Sequence, residues 1–113
     1  MELETSDIGE DATRIALRGR LDVAGVDSIE TKFTALAAAT GKDTLVDLSG
    51  VSFIASMGIR MLIAAARGMQ LKKRKMVVFG ARELVGEVLA NVNLAALVPV
   101  VDSEASALQA LRR

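Results

Sequence analysis

The feature that most constrains this chain is the order in which two hydrophobic periods follow each other. Two segments alternate with the two-residue period of strands before any helical spacing appears. Beyond them, short apolar runs and segments spaced by three and four residues take turns to the C-terminus. Residues 2–8 alternate weakly, and Gly9-Glu10-Asp11 supplies a turn. Residues 13–21 alternate cleanly, with Thr13, Ile15 and Leu17 on one face. Asp22 is placed as the N-cap of a helix in which Val26, Ile29, Phe33 and Leu36 recur at helical spacing, and which ends near Thr40-Gly41. Residues 44–48 read as a short strand with Asp47 at its end. Residues 56–71 read as a second helix, 75–79 as a buried strand closed by Gly80, and 82–91 as a third helix. Residues 97–101 read as a fifth strand, in which Pro99 marks an edge position. Ser103 caps a last helix through Leu111, with Glu104 in its first turn and Arg112-Arg113 at its end, both matched to the helix dipole. A hairpin followed by strand–helix repeats predicts an antiparallel pair continued by parallel strands with right-handed crossovers. The expected fold is α/β, a small mixed sheet with about four α-helices, forming one domain over residues 1–113.

What the chain lacks narrows its chemistry. It has no His, Cys, Trp or Tyr. Without Cys there is no disulfide, thiolate nucleophile or thiolate metal ligand. Without His, the commonest general base and metal ligand is gone. Serine–histidine and cysteine–histidine catalysis are both excluded, so the chain is not expected to be an enzyme. No Gly-x-x-x-x-Gly-Lys-Ser/Thr loop occurs, and no nucleotide, other cofactor or metal is expected on this chain.

Charge and apolar runs bear on partners. The net charge is zero, but residues 1–50 hold five Lys/Arg against ten Asp/Glu, and residues 51–113 hold nine against four. A zero total with only three aromatic residues argues against nucleic acid, which calls for a basic face and stacking rings. The longest apolar stretches, 61–66 and 94–101, fall far short of the roughly 20 residues of a membrane span. The acidic start Met1-Glu2-Leu3-Glu4 has no basic n-region, so a cytoplasmic protein without a membrane span is expected. The basic run Lys72-Lys73-Arg74-Lys75 reads as a solvated helix end that suits the dipole, or as a docking patch for an acidic partner.

Residues 47–71 carry the most information. On a helical wheel begun at Ser56, the residues Ile59, Leu62, Ile63 and Ala66 form the expected core face. Met57, Met61, Ala64, Gly68 and Leu71 fall opposite, flanked by Arg60 and Arg67. Flexible methionines and small residues on an outer face suit a surface that meets a partner, or else the two methionines tuck under a neighbouring element. Ser56, at the helix start, reads from spacing alone as an N-cap.

This stretch resembles the STAS domains of the bacterial anti-sigma factor antagonist branch. The family carries an aspartate–leucine–serine stretch, an apolar run, and then Asp-Ser-Ser-Gly or Asp-Ser-Thr-Gly opening a helix. Here these parts are Asp47-Leu48-Ser49, Val51-Ser52-Phe53-Ile54 and Ala55-Ser56-Met57-Gly58. Gly19-Arg20-Leu21-Asp22 and the late Leu94-Ala95-Ala96-Leu97, Val100-Val101 and Ala107-Leu108 also match, so the resemblance spans essentially the whole chain. It implies a protein that binds an anti-sigma factor that is also a serine kinase of the ATPase type. Phosphorylation of the first tetrad serine, here Ser56, would release that partner, and a serine phosphatase would reset the switch. Any ATP then belongs to the partner. The implied docking residues are Asp22, Ala55, Ser56, Met57, Gly58, Arg60, Met61 and Ala64. Ala55 replaces the tetrad's aspartate and Met57 its second hydroxyl residue, which takes away a carboxylate that could order the loop or guide a kinase. The departure leaves a second reading open, a STAS regulatory subunit of a membrane lipid-transport ATPase complex.

Overall fold

The computed structural model describes residues 1–39 and 41–112. Strand β1 (Glu2–Ile8) turns at Gly9, where φ is +67°, into β2 (Ala12–Leu21), and the two pair antiparallel from Glu2 opposite Arg18 to Ile8 opposite Ala12. There follow α1 (Val23–Ala39), β3 (Asp43–Ile54), α2 (Ser56–Leu71), β4 (Met76–Phe79), α3 (Glu83–Asn91), a 3-10 turn (Leu94–Ala96), β5 (Val100–Val101) and α4 (Glu104–Leu111). The sheet order is β1-β2-β3-β4-β5, with every pair after the hairpin parallel. The expected α/β fold with a mixed sheet and four α-helices is the one observed.

Each new strand joins the same edge, so crossovers of one hand lie on one face of the sheet. On that face Ile15, Leu17, Val46, Leu48, Met76 and Val78 meet side chains of α1, α2 and α3. The other face is smaller: Leu45, Val77 and Phe79 meet Ala107 of α4. This explains the unbroken apolar run of β4, which is buried on both sides. Lys72 Nζ donates to the Ala38 carbonyl at 2.8 Å and so caps the last turn of α1, while the 72–75 run is exposed to solvent.

Three expectations need correction. β3 runs well past Leu48, and Asp47 lies inside it. Past Asp47, β3 takes up extra residues against β2, first between Ala16 and Arg18, where Gly50 lies opposite Arg18, and again between Gly19 and Arg20. Gly50 fits this bulge because a Cβ there would lie 2.4 Å from Arg18 Cγ and 3.0 Å from the Leu17 carbonyl. β5 covers only two residues of the expected 97–101. The segment before it winds into a tight turn that buries Leu94 and Val98, with the Val98 amide donating to the Leu94 carbonyl. Pro99 sits on the edge side as expected, its carbonyl accepting from the Val78 amide. The expected end of the first helix at Thr40 lies outside the described residues, as does Arg113; Gly41 has the left-handed φ of +64°.

Candidate functional site: the shared start of two helices

Both α1 and α2 begin at the carboxyl edge of the parallel strands, where open α/β sheets place their sites. They begin against adjacent residues at the end of β2, α1 on Arg20 and α2 on Leu21. A Cβ on Gly25 would lie 1.9 Å from the Arg20 carbonyl oxygen, and one on Gly58 would lie 3.1 Å from Leu21 Cβ and 3.0 Å from Ile54 Cγ1. At Gly25 only glycine fits against the strand backbone, and at Gly58 a side chain would have to displace Ile54 and Leu21 slightly. The amide of Ala55 donates to the Leu21 carbonyl at 2.9 Å and ties the loop before α2 to β2.

Asp22 is the N-cap that the sequence predicts. Its Oδ1 accepts from the Gly25 amide at 2.9 Å, and its Oδ2 accepts from Arg20 Nε at 3.3 Å. The Gly25 amide first, and then the Arg20 guanidinium, hold the Asp22 carboxyl below its ordinary value against the opposing effect of desolvation. The Arg20 guanidinium also stacks over the Phe53 ring, 4.5 Å from its centre. Arg20 and Phe53 thus belong to this edge although spacing did not single them out. The signal was present in the adjacent Leu21 and Ile54, which close the strand pairing.

Ser56 is not the N-cap. Ala55 holds that place, with φ −101° and ψ 173° and no side chain to accept a hydrogen bond. Ser56 is the first helical residue. It is exposed, and its hydroxyl makes no hydrogen bond among the described residues. The first turn of α2 holds no acidic residue either. The positive end of this helix therefore meets solvent without a compensating side chain, with a free hydroxyl beside it.

The outward stripe of α2 differs from the wheel. Met61 is 2% exposed and part of the core, and Met69 joins it there. Ile63, expected inside, is only half-buried at the margin. The helix is rotated by less than one residue's step of about 100° from its sequence placement. α2 has a second neighbour: it packs on α1 as well as on the sheet, and Met61 belongs to the buried cluster that all three share. Gly58 is also buried. The solvent stripe consists of Ser56, Arg60, Ala64, Arg67, Gly68 and Leu71, with Met57 half-buried beside it. Of the expected docking residues, the structure brings Asp22, Ala55, Ser56, Met57, Arg60 and Ala64 to the surface around this helix start, and withdraws Gly58 and Met61. Asp47 takes no part in it. It faces α4, accepting from the Ser49 amide at 2.9 Å and pairing at 3.4 Å with Arg14, which also reaches Glu104 at 3.2 Å.

The arrangement is an exposed surface with Arg60, Arg67 and the free hydroxyl of Ser56. The principal surface depressions are lined by other residues. Among the described residues no three His, Cys, Asp or Glu side chains are grouped to hold a metal, and no helix is long and apolar enough to cross a membrane.

Similar folds are known. An anti-sigma factor antagonist from Mycobacterium paratuberculosis superposes with a TM-score of 0.87 at 20% identity, covering 99% of this chain and 94% of that one. An anti-sigma-factor antagonist (STAS) domain protein from Planctomyces limnophilus gives 0.84 at 22% identity, with 96% of each chain covered. The Bacillus cell fate determinant SpoIIAA in its phosphorylated form gives 0.70 at 17% identity, covering 96% and 97%. No curated protein sequence matches this chain. The family model of the Mlab STAS domain matches residues 5–99. With its hairpin, its parallel strands and its helix opening at Ser56, the chain belongs to the STAS-domain family.

Proposed function

We propose that the protein is a non-catalytic anti-sigma factor antagonist in a partner-switching pathway, with Ser56 as its switch. The observation that carries this reading is the exposed, unbonded Ser56 hydroxyl at the uncapped start of α2. The partner, an anti-sigma factor and serine kinase of the ATPase type, docks on Ser56, Met57, Arg60 and Ala64, with Ala55 and Asp22 at the margin. A phosphate on Ser56 adds about −1.5 to −2 charges where the helix dipole favours an anion, so the fold survives the modification. A partner surface shaped to a hydroxyl would instead have to bury a bulky dianion, and the complex separates. A serine phosphatase restores the hydroxyl. Support also comes from the similar folds, one of which belongs to a protein determined in a phosphorylated form.

The test is a paired capture from native lysate with wild type and Ser56→Glu, followed by treatment with the captured kinase. Wild type should retain a small ATPase-type kinase, and the variant should bind it at least about thirtyfold more weakly, the scale for an unpaired charge forced into an interface. The kinase should add one phosphate, at Ser56. Equal retention by both proteins, with no phosphate added, sinks the reading.

A second reading is favoured by two observations: neither Ala55 nor the first turn of α2 offers the carboxylate of the antagonist tetrad, and the matching family model is that of the Mlab STAS domain. On this reading the chain is a STAS subunit of a membrane lipid-transport ATPase complex. It would then co-purify in detergent with membrane ATPase subunits, whatever the state of Ser56.

A further inference from the structure

The outward faces of α1 and α2 carry opposite charges that do not meet within one molecule. Residues 48–82 contain seven Lys/Arg and no Asp or Glu, and α2 turns Arg60 and Arg67 to solvent. On α1 the exposed charged residues are Asp27, Glu30 and Lys32, acidic by one, with both acids in its first half. The helices pack side by side on one face of the sheet. Even so, none of Asp27, Glu30, Arg60 and Arg67 enters an ion pair among the described residues. Both helices connect parallel strands, so they run in the same direction. Both also start at the same level, with Gly25 against Arg20 and Gly58 against Leu21. Asp27 is the fifth residue of α1 and Arg60 the fifth of α2, so acid and base stand at equal heights on neighbouring helices.

We propose that this layer is an interface for a second copy of the chain, formed about a two-fold axis that runs along the helices. Such an axis keeps helix direction and level, and lays α1 of one protomer on α2 of its partner. Asp27 and Glu30 of each protomer then face the basic stripe beginning at Arg60 in the other, and symmetry makes the contact twice. The alternative axis, across the helices, sets acid on acid and base on base. Ala35 on α1 and Ala64 and Gly68 on α2 are exposed and small, which lets helix axes approach to about 8 Å. The pairs stay at the rim, so the dimer is weak and weakened further by salt. It also covers the stripe beside Ser56, so self-association and partner docking exclude each other; that consequence rests on the function proposed above, whereas the dimer itself rests on the charges.

Sedimentation equilibrium of the purified full chain, up to millimolar concentration at low and high salt, tests the proposal without any partner. Wild type should dimerise at low salt. Asp27→Arg or Arg60→Asp alone should weaken the dimer about tenfold, since each reversal acts at two symmetric contacts. The double variant Asp27→Arg/Arg60→Asp should recover wild-type strength to within about threefold, as expected of residues that couple directly. Glu30→Arg serves in place of any single variant whose circular dichroism shows loss of fold. A wild-type chain that stays monomeric at millimolar concentration and low salt overturns the proposal. So does a double variant as weak as its two single changes together, and the stripe would then be left to an acidic partner protein.

Discussion

Asp22 joins two elements through one carboxylate, and its ionisation therefore bears on stability. The Gly25 amide and Arg20 both favour the charged form and hold the folded-state value below the unfolded one. A depressed carboxyl contributes stability that is present above its unfolded value and lost as pH falls through the folded one. Thermal melts should accordingly show Asp22→Asn less stable than wild type at neutral pH, with the gap narrowing as pH drops below about 4. A gap that stays constant over that window would assign the effect to shape and not to charge. Asp22 was legible in the sequence because a cap needs only its own residue type and the helix after it. Met61 was not. It lies in a buried cluster shared with α1, far away in sequence, and a wheel contains no information about that neighbour. Gly58 was legible as part of a motif, while its reason, the 3.1 Å approach to Leu21, exists only in three dimensions.

At the scale of elements, α2 stands out for what its first turn leaves unsatisfied. α4 has Ser103, whose hydroxyl accepts from the Ser106 amide, and α1 has Asp22; α2 has Ala55. Ala55→Asp should therefore stabilise the protein by about 1 kcal/mol in denaturant unfolding, since Ala is among the poorest caps and Asp among the best. If stability is unchanged, the loop geometry at Ala55 does not let a carboxylate reach the amides of the first turn. Element type and order could be read from hydrophobic period, and the bounds of α2 and α4 matched closely. The lengths of β3 and β5 could not. The expected strand stops at Leu48, yet Gly50 lies at a bulge inside a longer strand held by β2. Residues 97–99 look like strand, yet the burial of Leu94 and Val98 wins them for a turn.

For the whole molecule, the two faces of the sheet are unequally covered. Three helices share one large cluster of buried side chains, while α4 alone closes the smaller one, anchored by Ala107 and the half-buried Arg14–Glu104 pair. Regions with few buried apolar contacts open at lower free energy than the core. Native-state hydrogen exchange should find the amides of residues 107–111 opening below the global unfolding free energy, and those of 59–69 opening only with it. Equal protection in the two helices would mean that the sheet and both its layers unfold as one unit. The topology itself was legible, because strand–helix alternation and crossover handedness leave few arrangements. The site was legible only as a resemblance centred on Ser56; its rim of Arg20 and Phe53 is created by strand register.

The two glycine footings, Gly25 on Arg20 and Gly58 on Leu21, separate what must stay from what can vary. The footing fixes where the helix starts stand, and none of the outward side chains at 56, 60 or 64 helps to hold it. Recognition and foldability are thereby written at different positions. A lineage can revise its choice of partner by single changes on the outward stripe, whereas an added carbon at Gly25 would collide with the β2 backbone and one at Gly58 would have to push its neighbours aside.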